Sequence, residues 1–244
     1  MKTRRCFMSV FLIIIFAAHA PATHAAFGDL FKDAKKFLGL DTELSTETIV
    51  KGLKEALQIG TGNAVKTVSK LGGYSGNPAI KIPLPDSLRK TEKILRTVGF
   101  GSKLDEFELS MNKAAEQAAP EAKSIFMDAI KKMSFTDARK ILEGRDNEAT
   151  LYFKDKTQGR LYKLFQPVVK QAMSQVGVTR RYQELNDKLG SLPFTEKLSF
   201  DLDDYVTNGA LKGLFDTVAG EEKKIRQDPG ARVTDLLKEV FANK

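Results

Sequence analysis

The chain has 244 residues, with 39 Lys+Arg, 31 Asp+Glu, one cysteine, two histidines and no tryptophan. The first 25 residues hold three basic residues, the cysteine and both histidines, so the following 219 residues have 36 basic and 31 acidic residues and a net charge of +5. Because those 219 residues contain no cysteine and no histidine, Cys-His and Ser-His-Asp catalysis, His/Cys metal sites and disulfide bonds are excluded within them. We predict neither a metal nor a cofactor.

The N-terminal segment has the three parts of a secretory signal peptide. Residues 1–5 are basic, residues 6–18 form an apolar run of 13, and small residues lead to Ala25. This run is shorter than the ~20 residues that a membrane-spanning helix needs. Cys6 is the first residue of this run, whereas the acylated cysteine of a lipoprotein would follow it. We predict a cleaved signal peptide at 1–25, one domain at 26–244, and a periplasmic location if the host is Gram-negative.

The first half of the remaining chain predicts helices around one extended segment. An amphipathic stretch covers 26–38, and a helix capped by Ser45 or Thr46 runs to about residue 70. Residues 72–86 contain Pro83 and Pro85, which forbid a helix or a regular ladder there. We predict an extended, Pro-containing segment near 72–86 that lies over the core or forms an edge strand. A helix follows at 87–99.

The second half continues the helical pattern. Apolar stripes of helical spacing occupy residues 104–118, 122–133, 149–153, 161–176, 182–189, 202–226 and 236–241. Ser134 with Asp137 forms a candidate capping box, Asp146 is a candidate cap for the next helix, and Thr234 is one for the last. Pro120 marks a kink or the first position of a new helix. The fold class is all-α, with about nine or ten helices.

Charges of both signs alternate along these helices. Five pairs place the acid four residues before the base: Glu47/Lys51, Glu92/Arg96, Asp128/Lys132, Glu184/Lys188 and Glu222/Arg226. This spacing is typical of stabilising pairs on solvated helix faces. No block of like charge stands out, so we predict no nucleic-acid partner.

Two rows of small residues repeat every four positions. Gly52, Ala56, Gly60 and Ala64 form the first row, and Gly209 and Gly213 form the second. A glycine inside a helix costs about 1 kcal/mol relative to alanine, which a close helix contact can offset. Helix packing is the favoured interpretation, and a groove for an acyl chain or a peptide helix is the alternative.

Two pairs of side chains are candidate ligand-binding residues. Asn112 and Glu116 are i,i+4 neighbours on one helix and could bind one ligand together. Glu116 is also the best candidate for a general acid, although the helical pattern places it towards the polar side. Arg226 and Arg232 flank the turn at 228–230 and could grip a carboxylate or phosphate. Alternatively, they anchor the C-terminal helix through Asp or Glu partners.

Eight short segments form a recognisable set: GLKEAL at 52–57, KIPLP at 81–85, MNKAAE at 111–116, ATLYF at 149–153, FQPV at 165–168, DYVT at 204–207, GLF at 213–215 and TDLL at 234–237. In these segments the sequence resembles a bacterial exported family known only as a domain of unknown function (number 4197). Lysine stands at position 113, where the family pattern leads us to expect arginine. The resemblance implies a signal-bearing helical protein and carries over no activity.

Three functions remain in competition. The leading hypothesis is a non-enzymatic periplasmic protein that binds an envelope component, which could be a protein, a lipid or another ligand. The alternative is a muramidase-like envelope hydrolase in which Glu116 is the general acid and Asn112 positions the sugar or the water. A third hypothesis is attachment to an anionic membrane through basic helix faces. After signal cleavage, no remaining segment is apolar enough to span a membrane.

Overall fold

A computed structural model describes residues 45–192 and 200–241, and within these ranges the fold is all-α with no β-strand. The helices are α1 Thr46–Ser69, α2 Asp86–Thr97, α3 Gly101–Ala118, α4 Ala122–Lys132, α5 Phe135–Glu143, α6 Glu148–Gln175, α7 Val178–Gly190, α8 Leu202–Gln227 and α9 Asp235–Val240. Eight of these described helices have nine residues or more, slightly fewer than the nine or ten predicted, and α9 has six. The predicted leader and the 26–38 stretch lie outside the described residues.

The core forms around three long helices. Helix α8 packs against both α1 and α6, and α6 packs against α3. Phe126 on α4 meets Phe153 of α6 edge-on at 5.3 Å and Phe215 of α8 at 6.0 Å between ring centroids. These aromatic contacts join three helices, so the apolar stripes predicted from the sequence converge on one core. No helix in the described ranges has both the length and the apolar character to cross a membrane.

Local capping determines several helix starts, as predicted. Ser45 caps α1 by accepting the N–H of Thr48 at 3.1 Å. Ser134 and Asp137 form a complete capping box at the start of α5. The prediction for α6 was wrong: its N-cap is Asn147 instead of Asp146, and no side-chain bond from that residue caps the helix.

The connection between α1 and α2 differs in part from the extended segment predicted at 72–86. Residues 71–76 and 78–80 form consecutive turns, and residues 81–85 have no regular secondary structure. Within the turns, the N–H of Gly76 donates to Gly72 O at 3.0 Å and the N–H of Lys81 to Asn77 O at 2.9 Å. We refer to residues 71–85 as the strap. Its Tyr74, Ile80, Ile82 and Leu84 side chains are buried in the core.

The predicted i,i+4 ion pairs form in three of the five cases. Glu47–Lys51, Glu92–Arg96 and Glu222–Arg226 are in contact. Asp128 instead pairs with Arg160 of a neighbouring helix at 3.1 Å. Glu184 approaches Lys103 of another helix at 3.4 Å and Arg180 of its own helix at 3.8 Å. A neighbouring helix therefore supplies a partner in both cases, although Glu184 also keeps a local one.

The small-residue rows pack against other parts of the chain. A Cβ atom on Gly52 would lie 2.6 Å from Val240 of α9, and one on Gly209 would lie 3.1 Å from Ile82 of the strap. On Gly213 it would lie 2.6 Å from the Tyr74 ring and 3.2 Å from the Ile80 carbonyl oxygen. Close packing of α9 and the strap is thus the reason for glycine at these positions.

This packing predicts opposite effects for two glycines of α8. Gly213→Ala is expected to lower the free energy of unfolding by about 1–2 kcal/mol, because overpacking outweighs the gain in helix propensity. A Cβ atom added at Gly220 has no neighbour within 4 Å. Gly220→Ala is therefore expected to raise the free energy of unfolding by up to about 1 kcal/mol. Urea denaturation measures both values. Effects of the same sign would contradict the packing explanation.

Candidate functional site

Asn112 holds the strap against α3. Its side chain is fully buried, and its Oδ1 accepts the N–H of Ile82 at 2.9 Å. Its Nδ2 donates to the carbonyl oxygens of Ile82 at 2.9 Å and Glu108 at 2.8 Å. The amide thus satisfies both backbone groups of Ile82, as a neighbouring strand would.

Glu116 lies one turn further along α3 and binds the preceding part of the strap. Its Oε1 accepts the N–H groups of Tyr74 at 3.1 Å and Ser75 at 3.3 Å, and the Ser75 hydroxyl at 3.2 Å. The side chain is only 4% exposed, so the expected position towards the polar side was wrong. The periodicity of α3 alone predicts that this flank is exposed to solvent. The strap covers it and so buries Glu116.

Tyr74 completes this contact between the strap and the body. Its hydroxyl donates to the carbonyl oxygen of Ala210 on α8 at 2.6 Å. Burial, and then the charge of Glu116, raise the pKa of Tyr74, so the phenol stays protonated. Asn112 and Glu116 therefore bind the same segment of this chain, and their joint binding of a ligand stays a prediction.

Arg226 and Glu222 form a buried ion pair at the start of α6. The Nε and Nη2 atoms of Arg226 donate to Glu222 Oε1 at 3.0 and 2.8 Å, and Nη2 also donates to Ile141 O at 2.7 Å. Glu222 in turn accepts the N–H groups of Ala149 at 2.9 Å and Thr150 at 2.8 Å. A carboxylate from α8 thus caps the N-terminus of α6, where the helix dipole favours negative charge.

Arg232 closes the C-terminal end of α8. Its Nε donates to Ile225 O at 3.1 Å and its Nη2 to Arg226 O at 2.8 Å. The guanidinium carbon lies 6.0 Å from the centroid of the Phe241 ring. Arg232 therefore anchors the C-terminal segment through carbonyl oxygens and an aromatic ring, where the sequence had suggested carboxylate partners.

A small apolar hollow lies beside the Glu222–Arg226 pair. Ala56, Gly60 and Phe153 are among its lining residues. Its volume of about 20 Å³ is enough for a single water molecule. The first small-residue row therefore borders a packing defect that is far too small for an acyl chain or a peptide.

A much larger cleft opens on the surface among α4, α5 and α6. Two adjoining depressions of about 290 and 330 Å³ share Asp137, Tyr152 and Lys156. We call them together the Tyr152 cleft. Small-molecule sites begin at roughly 300 Å³, and a few convergent polar groups orient the ligand in them. The Tyr152 cleft reaches that size, but its lining is mostly charged. Among the predicted site residues, none lines this cleft.

The comparison with known families agrees with the resemblance found in the sequence. A family described as "Protein of unknown function (DUF4197)" matches residues 43–242. The chain belongs to this family. Because the match spans both described ranges, helices α1 to α9 represent the DUF4197 fold. No curated protein and no solved structure matches the chain.

Two features of this DUF4197 fold escaped the sequence reasoning. Glu222 and Arg226 looked like an ordinary surface pair, because the partners of Glu222 lie 72 and 73 residues away in the chain. Tyr152 looked like a core position on the α6 stripe, yet it is only half-buried. In both cases the deciding neighbours come from other helices, so no local signal in the sequence could have revealed them.

Proposed function

We propose that the protein is an exported, non-enzymatic helical module of the periplasm that binds an envelope component. Residues 1–25 support export, because they have the pattern of a signal peptide. One observation argues against catalysis at the predicted residues, and favours another surface for ligand binding: each predicted site residue is occupied by internal contacts. Asn112, Glu116 and Arg232 bind backbone groups, and Arg226 binds Glu222 and a backbone carbonyl.

The contacts of Glu116 argue for a structural carboxylate over a general acid. A general acid holds a proton and presents it to the leaving group of a substrate. Glu116 Oε1 instead accepts three hydrogen bonds from Tyr74 and Ser75. The Tyr152 cleft lies among other helices and is lined by neither Asn112 nor Glu116. The hydrolase hypothesis thus has no support from this geometry.

Cell fractionation and sedimentation test the export and the binding. We expect the protein in a periplasmic extract to begin at Ala26. The purified protein is then sedimented with peptidoglycan sacculi and with phosphatidylglycerol vesicles, and it is cross-linked in intact cells to capture a protein partner. Retention in one of the three assays supports the proposal. A protein that stays in the cytoplasm, or that is retained in none of them, contradicts it.

Glu116→Gln distinguishes the binding module from the hydrolase. Glutamine keeps an oxygen that can accept the bonds from Tyr74 and Ser75, so the variant should fold. We expect it to bind the envelope component as the wild type does, and neither protein to release soluble sugar from sacculi. Release by the wild type that Glu116→Gln abolishes would establish the hydrolase instead.

A further inference from the structure

Five cations and four carboxylates line the Tyr152 cleft, which gives it a net charge of +1. Lys156, which lines both depressions, pairs with Asp155 at 3.0 Å, so the positive charge that remains unpaired lies towards the two ends of the cleft. In the depression beside α5, Arg145 and Lys140 both approach the carboxylate of Glu148, at 3.3 and 3.9 Å. In the depression beside α4, Arg160 pairs with Asp128 at 3.1 Å, while Lys132 makes no ion pair with any described residue. Each depression therefore has one cation without a carboxylate of its own.

The middle of the cleft has the opposite character. Asp137 accepts the N–H and the hydroxyl of Ser134 at 3.0 and 2.7 Å, and these bonds lower its pKa. It is thus an ionised acceptor, and it forms no ion pair within the described ranges. The Tyr152 hydroxyl forms no hydrogen bond to a described residue. Burial and the charge of Asp137 raise the pKa of Tyr152, so the hydroxyl keeps its proton.

We propose that the Tyr152 cleft binds a short acidic peptide. Carboxylates at its two ends would pair with Lys132 and with the Lys140–Arg145 cluster. Amide or hydroxyl donors between them would bind Asp137, and an acceptor would bind the Tyr152 hydroxyl. The inference rests on the proposed function, because it names the ligand chemistry of that binding module. The acidic peptide could be free or attached to an envelope glycan, because both forms present the same carboxylates and amides to the cleft.

The direct test is a calorimetric titration of the purified protein with three probes. These are N-acetyl-Glu-Ser-Glu, the uncharged N-acetyl-Gln-Ser-Gln amide, and soluble disaccharide-peptide fragments of peptidoglycan. We expect the acidic peptide to bind about tenfold more tightly than the uncharged one, and this advantage to shrink at high salt. Tighter binding of the fragments than of the free peptide identifies the glycan-attached form as the source.

Three variants assign the binding to the cleft. Lys132→Gln removes the unpaired cation, and Tyr152→Phe removes only the hydroxyl and keeps the ring. Each is expected to weaken binding of the acidic peptide about threefold to tenfold, as the loss of one hydrogen bond or charge contact predicts. Lys66→Gln changes a lysine of α1 that is also exposed but lies outside the cleft; it is the matched control and should leave the affinity unchanged.

The outcomes separate this inference from the proposed function. Equal binding of the charged and uncharged peptides, or equal effects of Lys132→Gln and Lys66→Gln, would overturn the assignment. Sedimentation with sacculi without any binding of the peptides or fragments would overturn it too, and would leave the proposed function standing. A protein that neither sediments with an envelope component nor binds a probe would remove both.

Discussion

Replacing Glu222 with alanine is expected to lower the free energy of unfolding by about 3–5 kcal/mol, because removing one partner leaves a buried charge uncompensated. The side chains of Arg226 and Glu222 are 9% and 6% exposed. The variant also leaves the N–H groups of Ala149 and Thr150 without their acceptor at the start of α6. Urea denaturation followed by circular dichroism measures the change.

The matched control is Glu47→Ala, which breaks a pair with the same i,i+4 spacing. The side chains of Lys51 and Glu47 are 68% and 77% exposed, so water screens their attraction. The expected loss of stability is therefore much smaller than that of Glu222→Ala. A double-mutant cycle of Glu222→Gln with Arg226→Met isolates the direct pair, and we expect a coupling of about 1–3 kcal/mol. Equal losses for Glu222→Ala and Glu47→Ala would show that burial does not strengthen this contact.

Replacing Asn112 with alanine is expected to lower stability by about 2–4 kcal/mol. The variant leaves the buried N–H and carbonyl of Ile82 without partners, and each such group costs about 1–3 kcal/mol. Because the same bonds tie the strap to α3, we also expect faster amide exchange at Ile82. Thermal denaturation and hydrogen exchange measure the two effects.

A surface control and a second substitution at position 112 test whether the side-chain amide of Asn112 is required. Asn208→Ala removes an exposed asparagine of α8 whose bond to Asp204 is on the surface, so its effect should be within about 0.5 kcal/mol. Asn112→Asp can accept from Ile82 but, when ionised, cannot donate to the two carbonyls. Burial raises its pKa in the folded state, so its protonated form stabilises the fold at low pH, and this stability is lost as the pH rises. An Asn112→Asp variant equally stable at pH 4 and pH 7 would contradict the assigned contacts.

Helix type and helix boundaries were largely predictable, because short-range interactions determine them. The Ser134–Asp137 capping box and the Thr234 cap involve atoms only three residues apart, and both are present as predicted. The Asp201 cap of α8 is equally local, accepting the N–H of Asp204 at 2.9 Å. Asp146 was the exception, since a carboxylate from α8 takes the capping role at α6.

For the candidate site, the sequence predicted which side chains lie close together but not which groups they contact. The i,i+4 spacing brought Asn112 and Glu116 to one side of α3, and the turn at 228–230 brought Arg226 close to Arg232. The partners of these side chains could not be inferred, because Ile82 and Tyr74 lie 30 and 42 residues away. Polar residues that looked available for a ligand are therefore satisfied by the protein itself.

The sequence by itself determined the all-α class, most of the helix ends and the family, since these depend on composition, periodicity and contacts within a few residues. Only the tertiary structure decided which acidic residues are buried. Glu47–Lys51 and Glu222–Arg226 have the same local pattern, yet one pair is solvated and the other is enclosed by α5, α6 and α8. The physical reason is that spacing determines which neighbours a side chain has on its own helix, whereas solvation depends on helices that the chain brings together from far apart.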